Sequence, residues 1–195
     1  MDGIEAKLSL LEKAYDNTIV HAITLADMEK LTLPDGSVIN ASRGDKIELP
    51  RWMARALEEE RMVSIIWNEF TVEDVLRIHY REMQRTSILD IEALPENFYW
   101  ILREYVSRLE KQIRETPDPR LIEERKRLQD YVNEILDKRL QTIISAVTND
   151  KLSNSISPKL SPEEQVLMEE LRRIIKEWRR KLIEGKSTKT SIAKT

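Results

Sequence analysis

Apolar residues recur at three- and four-residue spacing through almost the whole chain after Thr71, and this pattern limits the fold more than any other feature. Such spacing places the apolar side chains on one face of an α-helix. Four such stripes follow one another, and they are separated by prolines or by short polar stretches. We therefore predict a bundle of four long helices over about residues 71–184.

Helix start and stop signals divide this region. Thr71 followed by Asp74 approximates a capping box. A second helix is predicted from Pro95 to the prolines at 117 and 119, with the stripe Phe98, Leu102, Tyr105, Val106, Leu109 and Ile113. The third and longest stripe is wholly apolar and comprises Leu121, Leu128, Val132, Ile135, Leu136, Leu140, Ile143, Ile144 and Val147. Residues 148–160 are predicted to form a polar loop.

The last helix has the strongest start signal in the sequence. Ser161, Pro162 and Glu164 supply a cap serine, a proline in the first turn and an acidic residue at the third helical position. The stripe that follows is Leu167, Leu171, Ile174, Trp178 and Leu182. Gly185 is predicted to end the helix, and residues 185–195 are predicted to be a flexible tail because they lack apolar residues.

The first 66 residues have a different pattern. The spacing of Leu8, Leu11 and Tyr15 suggests a short helix or a packed arm. Residues 18–25 are rich in β-branched residues, which predicts a strand. A Pro-Asp-Gly turn at 34–36 separates two further short strands, and residues 44–47 are predicted to continue them as a β-meander. Pro50 is predicted to open a helix whose shared face is Trp52, Met53, Ala56 and Leu57, followed by a strand at 62–66.

The predicted fold class is therefore α+β, mostly α. We expect a small β-rich domain over residues 1–66, a helical bundle domain over 67–184 and the tail over 185–195. The chain has no cysteine and only two histidines, His21 and His79, without metal-ligand spacing. No phosphate-binding glycine motif occurs. We therefore expect no catalytic residue, no cofactor and no metal site, no membrane span, and a cytoplasmic location.

Two features allow more than one interpretation. The excess of positive charge is confined to residues 151–195, where basic residues interleave with glutamates on the last helix. This pattern is typical of a solvated helix face, but an acidic protein partner or direct DNA contact would also use it. Trp100 lies off the stripe of its helix, so either it covers a second surface of the bundle or it anchors a partner.

Several segments together resemble the subunits of the GINS replication complex. The stretch ELPRWMARALEEERMV at 48–63 is similar to the helix of the small B domain, and the segment before it resembles the approach to that helix. VEDVLRIHYREMQRTSILDIEALPENFYWILREYVSRLEKQI resembles the first two helices of the A domain. LQDYVNEILDKRLQTIISAV and LSPEEQVLMEELRRIIKEWRRKLI are similar to its third and fourth helices.

The order of the two domains, B before A, resembles the archaeal two-three type of subunit. One departure concerns the third helix, where the family commonly has a lysine three residues after an arginine. Here Arg139 is followed by Thr142, which puts any role of that lysine in doubt.

The resemblance implies a non-catalytic scaffold. Two copies of each of two subunit types would form a tetramer that binds the MCM helicase and a RecJ-like or Cdc-forty-five-like protein. The apolar stripes exceed what one bundle must bury, so we predict a partner interface formed by Phe98, Leu102, Tyr105, Leu109, Leu171 and Trp178. The alternative is a stand-alone nucleic-acid-binding helical protein that uses the basic C-terminal helix.

Overall fold

A computed structural model describes residues 3–67 and 70–183 of the chain. Its first part contains the elements α1 (Ile4–Asp16), β1 (Ile19–Thr24), β2 (Met28–Thr32), β3 (Val38–Ala41), β4 (Lys46–Pro50), α2 (Arg51–Glu59) and β5 (Val63–Ile65). Its second part contains α3 (Val72–Gln84), α4 (Phe98–Glu115), α5 (Pro119–Val147), α6 (Asp150–Ile156) and α7 (Pro162–Ile183), with 3-10 turns at Ile88–Asp90 and Ser157–Lys159. The predicted fold class, α+β and mostly α, is confirmed.

The strands of the N-terminal part form two sheets. β1 is the central strand of an antiparallel sheet with the order β4-β1-β5. Alternate residues of β1 face the core, and this alternation matches the inward-facing Ile47 and Leu49 of β4. β2 and β3 pair only with each other. The predicted continuous meander is therefore wrong at β4, which pairs with β1 and not with β3.

A tight turn explains how β4 returns to β1. Gly44 has a φ of 96°, a conformation that glycine adopts without steric cost, and its N–H donates to the carbonyl of Thr24 at 2.8 Å. The carboxylate of Asp45 accepts from the backbone N–H of Ser42 at 2.8 Å. These bonds direct the chain back along β1.

The helix after β4 packs on the sheet through a different face from the one predicted. Ala54 is fully buried, and Met53 and Leu57 pack against the same core, whereas Trp52 is 43% exposed and Ala56 is exposed. The small side chain of Ala54 lets this short helix approach the strands closely. The prediction that Trp52 and Ala56 share the buried face is therefore wrong.

Most of the predicted helix boundaries agree with the structure. Thr71 and Asp74 form a complete capping box, as do Ser161 and Glu164. The second bundle helix begins at Phe98 and not at Pro95, because Asn97 has a left-handed conformation with φ of 56°. Pro119 occupies the first turn of α5 behind the cap residue Asp118.

Within residues 148–160, Asp150–Ile156 form a helix and Ser157–Lys159 a 3-10 turn, so the prediction of a polar loop is wrong. Asn149 accepts hydrogen bonds from the N–H groups of Lys151 and Leu152, so it caps α6. Ser153 and Ile156 are fully buried against the bundle. The apolar pattern does not reveal this short helix, because the small polar residue Ser153 occupies one of its buried positions.

The core of the bundle lies between α3, α4, α5 and α7, with α6 closing one end. α1 packs against α7 and also contacts α2, so it joins the first part of the chain to the bundle. No helix among the described residues is both long and apolar enough to cross a membrane. The predicted end of the last helix at Gly185 and the predicted tail at 185–195 lie outside the described residues.

Candidate protein-interaction surface

A buried ion cluster holds three bundle helices in a fixed relation. Arg139 of α5 is only 1% exposed. Its Nη1 donates to Glu82 Oε1 of α3 at 2.9 Å, and its Nη2 donates to Glu164 Oε2 of α7 at 2.8 Å. Arg139 Nε donates to the other oxygen of Glu164, so this pair is bidentate. One guanidinium thus links α3, α5 and α7.

Further polar groups complete the cluster. Tyr99 donates its hydroxyl to Glu164 at 2.7 Å, and Arg85 lies 2.8 Å from the second oxygen of Glu82. Burial alone would lower the pKa of Arg139, but its hydrogen bonds with Glu164 and the charges of Glu164 and Glu82 raise that pKa overall. Burial, and then the charge of Glu164, raise the pKa of Tyr99. Arg139 therefore stays positively charged and Tyr99 stays neutral, so the cluster positions helices.

Sequence reasoning missed this cluster. Arg139 was considered only for its spacing to Thr142, and the stripe of α5 was described from its apolar residues alone. The available signal is positional: Arg139 lies four residues after Ile135 and four before Ile143, both fully buried, so it occupies the buried face. Its partners could not be identified, because Glu82 and Glu164 are 57 and 25 residues away.

An apolar groove lies next to the cluster. It has a volume of about 370 Å³, and it is bounded by α1, the first turn of α4, the middle of α5 and the first turns of α7. Leu136 and Leu140 of α5 line it while remaining 42% and 40% exposed. Its other apolar lining residues include Ile4, Leu8, Trp100 and Leu167. Large apolar side chains are thus left in contact with solvent along α5.

The exposed apolar surface continues along α7. Leu167 lines the groove, and the residues after it at helical spacing become progressively more exposed towards the end of the helix. Ile174 is 54% exposed, Trp178 is 60% and Leu182 is 66%. An aromatic and aliphatic ridge of this kind is a feature of protein interfaces. We call the groove and this ridge together the α5–α7 surface.

The predicted interface residues fall into two groups. Phe98, Leu102 and Leu109 are buried in the core of this chain, and Tyr105 is half-buried with its hydroxyl bonded to Glu124. Their side chains pack against α3 and α5, so they support the bundle and present little surface to a partner. Leu171 is half-buried and Trp178 is exposed. Trp178 is thus the most exposed of these six residues, and Tyr105 and Leu171 are partly exposed.

Trp100 packs against α1, which is a second surface of the bundle, and it also lines the apolar groove. Its ring stacks on Tyr15 of α1 at a centroid distance of 6.3 Å, and the Arg103 guanidinium lies over it. The two histidines lie apart from each other. His21 is near Glu48 on the sheet, and His79 contacts Glu134 between α3 and α5. Residues 3–67 and 70–183 contain no group of three or more His, Asp or Glu that could hold a metal ion.

The basic residues of α7 differ in their pairing. Arg173 forms ion pairs with Glu170 and Glu177, and Lys181 also pairs with Glu177. Lys176, Arg179 and Arg180 form no ion pair with any residue that the structure describes. Along this helix Arg179 lies at the edge of the apolar ridge, whereas Lys176 and Arg180 lie on the opposite face. An acidic residue beside the apolar stripe of a partner would complement Arg179.

The family comparison covers the helical part of the chain. The model of a family described as Sld5, GINS complex protein helical bundle domain, matches residues 69–183. This range contains α3 to α7 and therefore the whole ion cluster and most of the α5–α7 surface. No curated protein is similar enough to the chain to count as a match.

Proposed function

The chain belongs to the family of GINS complex proteins with the Sld5-type helical bundle domain, and we propose that it is a non-catalytic scaffold of that complex. Members of this family are subunits of a DNA replication complex, so assembly with other GINS subunits is their shared property. The scaffold role adds that binding, and not chemistry, is the contribution of this chain.

The observation that carries this proposal is the α5–α7 surface. Six large apolar side chains with substantial exposure lie on two neighbouring helices: Leu136, Leu140, Ile144, Ile174, Trp178 and Leu182. A solvent-exposed ridge of this size costs free energy that contact with another polypeptide removes. The buried ion cluster supports the proposal, because it fixes α7 against α5 and so holds the two halves of the surface in one arrangement.

We further propose that the principal partner is a second type of GINS subunit and that two copies of each form a tetramer. In this tetramer Leu171 and Trp178 would lie in the subunit contact, with Arg179 at its edge facing an acidic residue of the partner. Closed two-fold arrangements are the usual way in which such surfaces are covered.

The domain order supports an archaeal subunit of the two-three type. A sheet-bearing unit with the elements β1 to β5 precedes the family-matched helical domain, as in the B-before-A arrangement. We propose domain limits at 1–66 and 67–184, cytoplasmic location, and contacts with the MCM helicase and a RecJ-like or Cdc-forty-five-like protein. These proposals depend on the family membership more than on any single contact in this chain.

The alternative function, nucleic-acid binding through the basic end of α7, rests on the same unpaired cations. The exposed ridge of Ile174, Trp178 and Leu182 on the same helix favours a protein partner, since phosphate contacts need no apolar ridge.

The test is co-expression of the chain with a candidate partner subunit and measurement of the mass of the purified complex. Triple substitution of Ile174, Trp178 and Leu182 by Ser should abolish the complex while the isolated chain keeps its helical circular dichroism. If the triple variant assembles like the wild type, the α5–α7 surface is not the subunit contact. Loss of DNA binding together with unchanged assembly would favour the alternative.

A further inference from the structure

A second cleft lies on the opposite part of α4, between that helix and the second half of α2. Its volume is about 380 Å³, and it shares no lining residue with the apolar groove. Trp67, which follows β5, lines it together with charged side chains of both helices. We call it the Arg108 cleft.

The charges that line this cleft do not cancel one another. Arg55 pairs with Asp16, and Arg103 pairs with Glu12, both of α1. Glu104 is engaged by Tyr15 and Arg51. After these pairs are formed, Arg108, Lys111 and Arg114 remain without an ion-pair partner within residues 3–67 and 70–183. All three lie on α4, so one helix presents a row of cations to the cleft, across from Glu58 and Glu59 of α2.

Arg108 is held in place by aromatic rings and not by a carboxylate. Its guanidinium lies 4.3 Å from the ring centroid of Trp67 and 5.8 Å from that of Tyr105. Its Nε is buried and has no hydrogen-bond acceptor among the described residues. Desolvation lowers the pKa of Arg108, which reflects the cost of holding this charge away from water. A bound anion that pairs with the guanidinium would lower that cost.

The length of the cationic row indicates the kind of anion. A helix rises 1.5 Å per residue, so Arg108 and Arg114 are about 9 Å apart along the axis of α4. An extended peptide covers that distance in about three residues at roughly 3.3 Å each. Two or three carboxylates on a short extended segment therefore fit the row.

A nucleic-acid strand fits less well. Glu58 and Glu59 of α2 line the other wall of the cleft and would repel anions there. A short segment with two or three carboxylates can stay along α4, whereas a long continuous run of phosphates passes both glutamates. Bases bind such sites by stacking on an open aromatic ring. Here the guanidinium of Arg108 already lies over the ring of Trp67.

We propose that the Arg108 cleft binds a short acidic segment of a partner protein, whose carboxylates pair with Arg108, Lys111 and Arg114. The proposal concerns a separate surface from the subunit contact, so it does not depend on how the α5–α7 surface is covered.

The test uses the full chain and three fluorescein-labelled probes followed by fluorescence anisotropy. The probes are a short peptide of alternating Asp and Ala, the same peptide with Asn in place of Asp, and an oligothymidine of similar length. We expect the Asp peptide to bind and the Asn peptide not to bind. The double variant Lys111→Glu, Arg114→Glu should weaken binding of the Asp peptide at least about tenfold, since two attractive contacts become repulsive.

Lys126→Glu is the matched control, because Lys126 is also exposed and basic but lies on α5 outside the cleft. It should change the affinity by less than about twofold. Arg108→Gln should weaken binding like the double variant. Lys111 and Arg114 are exposed, so the double variant should fold normally, and circular dichroism detects a folding defect separately from a loss of binding. Equal weakening by the Lys126 control, absence of binding of the Asp peptide to folded wild type, or tighter cleft-dependent binding of oligothymidine would each overturn the proposal.

Discussion

Arg139 Nη1 of α5 lies 2.9 Å from Glu82 Oε1 of α3, and both side chains are almost completely buried. The same guanidinium also forms the bidentate pair with Glu164 of α7. Removal of one charged group from this cluster is costly, because the remaining charges stay buried in an interior that solvates them poorly. The arrangement of the helices that carry the α5–α7 surface depends on this group.

Arg139→Ala should therefore strongly destabilise the fold. We expect the free energy of unfolding to fall by about 3–5 kcal/mol, because Glu82 and Glu164 lose the cation that balances them. Urea denaturation followed by circular dichroism measures this loss. Arg127→Ala on the same helix is the control, since Arg127 is exposed and its pair with Glu123 spans 3.9 Å. A loss below about 1 kcal/mol for Arg139→Ala would contradict the role of the cluster.

Leu102→Ala tests the assignment of the α4 stripe to the core. Leu102 is buried among residues of α3 and α5, so its truncation should cost about 2–5 kcal/mol of stability. The affinity of the folded fraction for a partner subunit should stay unchanged. Denaturation and titration with the partner separate the two effects. A variant of normal stability with weakened assembly would return Leu102 to the interface.

Trp178→Ala should have the opposite profile. Trp178 is 60% exposed, so the stability of the isolated chain should change by less than about 0.5 kcal/mol. Binding to the partner subunit should weaken by about 30-fold, which corresponds to about 2 kcal/mol for an aromatic residue at the centre of a contact. Ile122→Ala is the control, because Ile122 is exposed at the far end of α5. Similar effects of the two variants on binding, measured by calorimetry, would argue against a contact at Trp178.

The contact between α1 and α7 should depend on pH through Glu170. Hydrogen bonds from Lys7 and Arg173 hold the pKa of Glu170 below its usual value of 4.5. The folded-state pKa is thus lower than the unfolded one, so the stabilisation is present above about pH 4.5 and is lost as the pH falls through the folded pKa.

Comparison of wild type with Glu170→Gln measures this effect. The two proteins should differ in stability at pH 7 and converge at acidic pH, and amide exchange of α1 should be faster in the variant at neutral pH. Glu115→Gln, at an exposed position of α4, should show no such pH-dependent difference. If the difference in unfolding free energy between wild type and Glu170→Gln stays constant from acidic to neutral pH, then the ion pairs of Glu170 do not cause the pH dependence.

Asn149→Ala tests the helix that the sequence did not reveal. Asn149 caps α6 through two backbone N–H groups, so its loss should cost about 1 kcal/mol and accelerate amide exchange over Asp150–Ile156. Hydrogen exchange with mass detection measures the exchange rates of residues 150–156. If residues 150–156 exchange as fast as a free loop in the wild type, then α6 is not formed in solution.

Local signals in the sequence predicted most of the fold. The two capping boxes at Thr71 and Ser161 form as expected because both partners lie within one helical turn. β4 was paired with the wrong strand, because a choice between β1 and β3 depends on contacts distant in sequence. α6 was missed because its buried face includes Ser153, which carries no hydrophobic signal.

The candidate site was less predictable than the fold. The stripe with Leu102 and the stripe with Trp178 have the same spacing and similar composition, yet one is buried and the other is exposed. Which stripe faces outward depends on how the helices pack, and that packing is fixed by the cluster around Arg139. Its members come from four helices, α3, α4, α5 and α7, so no single stretch of sequence contains the information.

The proposal that this chain assembles with another subunit through the α5–α7 surface is tested by the mass of the complex formed on co-expression with a second GINS subunit. Light scattering after size-exclusion chromatography should show a discrete species of several chains that contains both subunits, with Trp178 protected from solvent quenching. The proposed scaffold role is contradicted if the purified chain stays a monomer in the presence of that subunit and Trp178 remains as accessible as in the isolated chain.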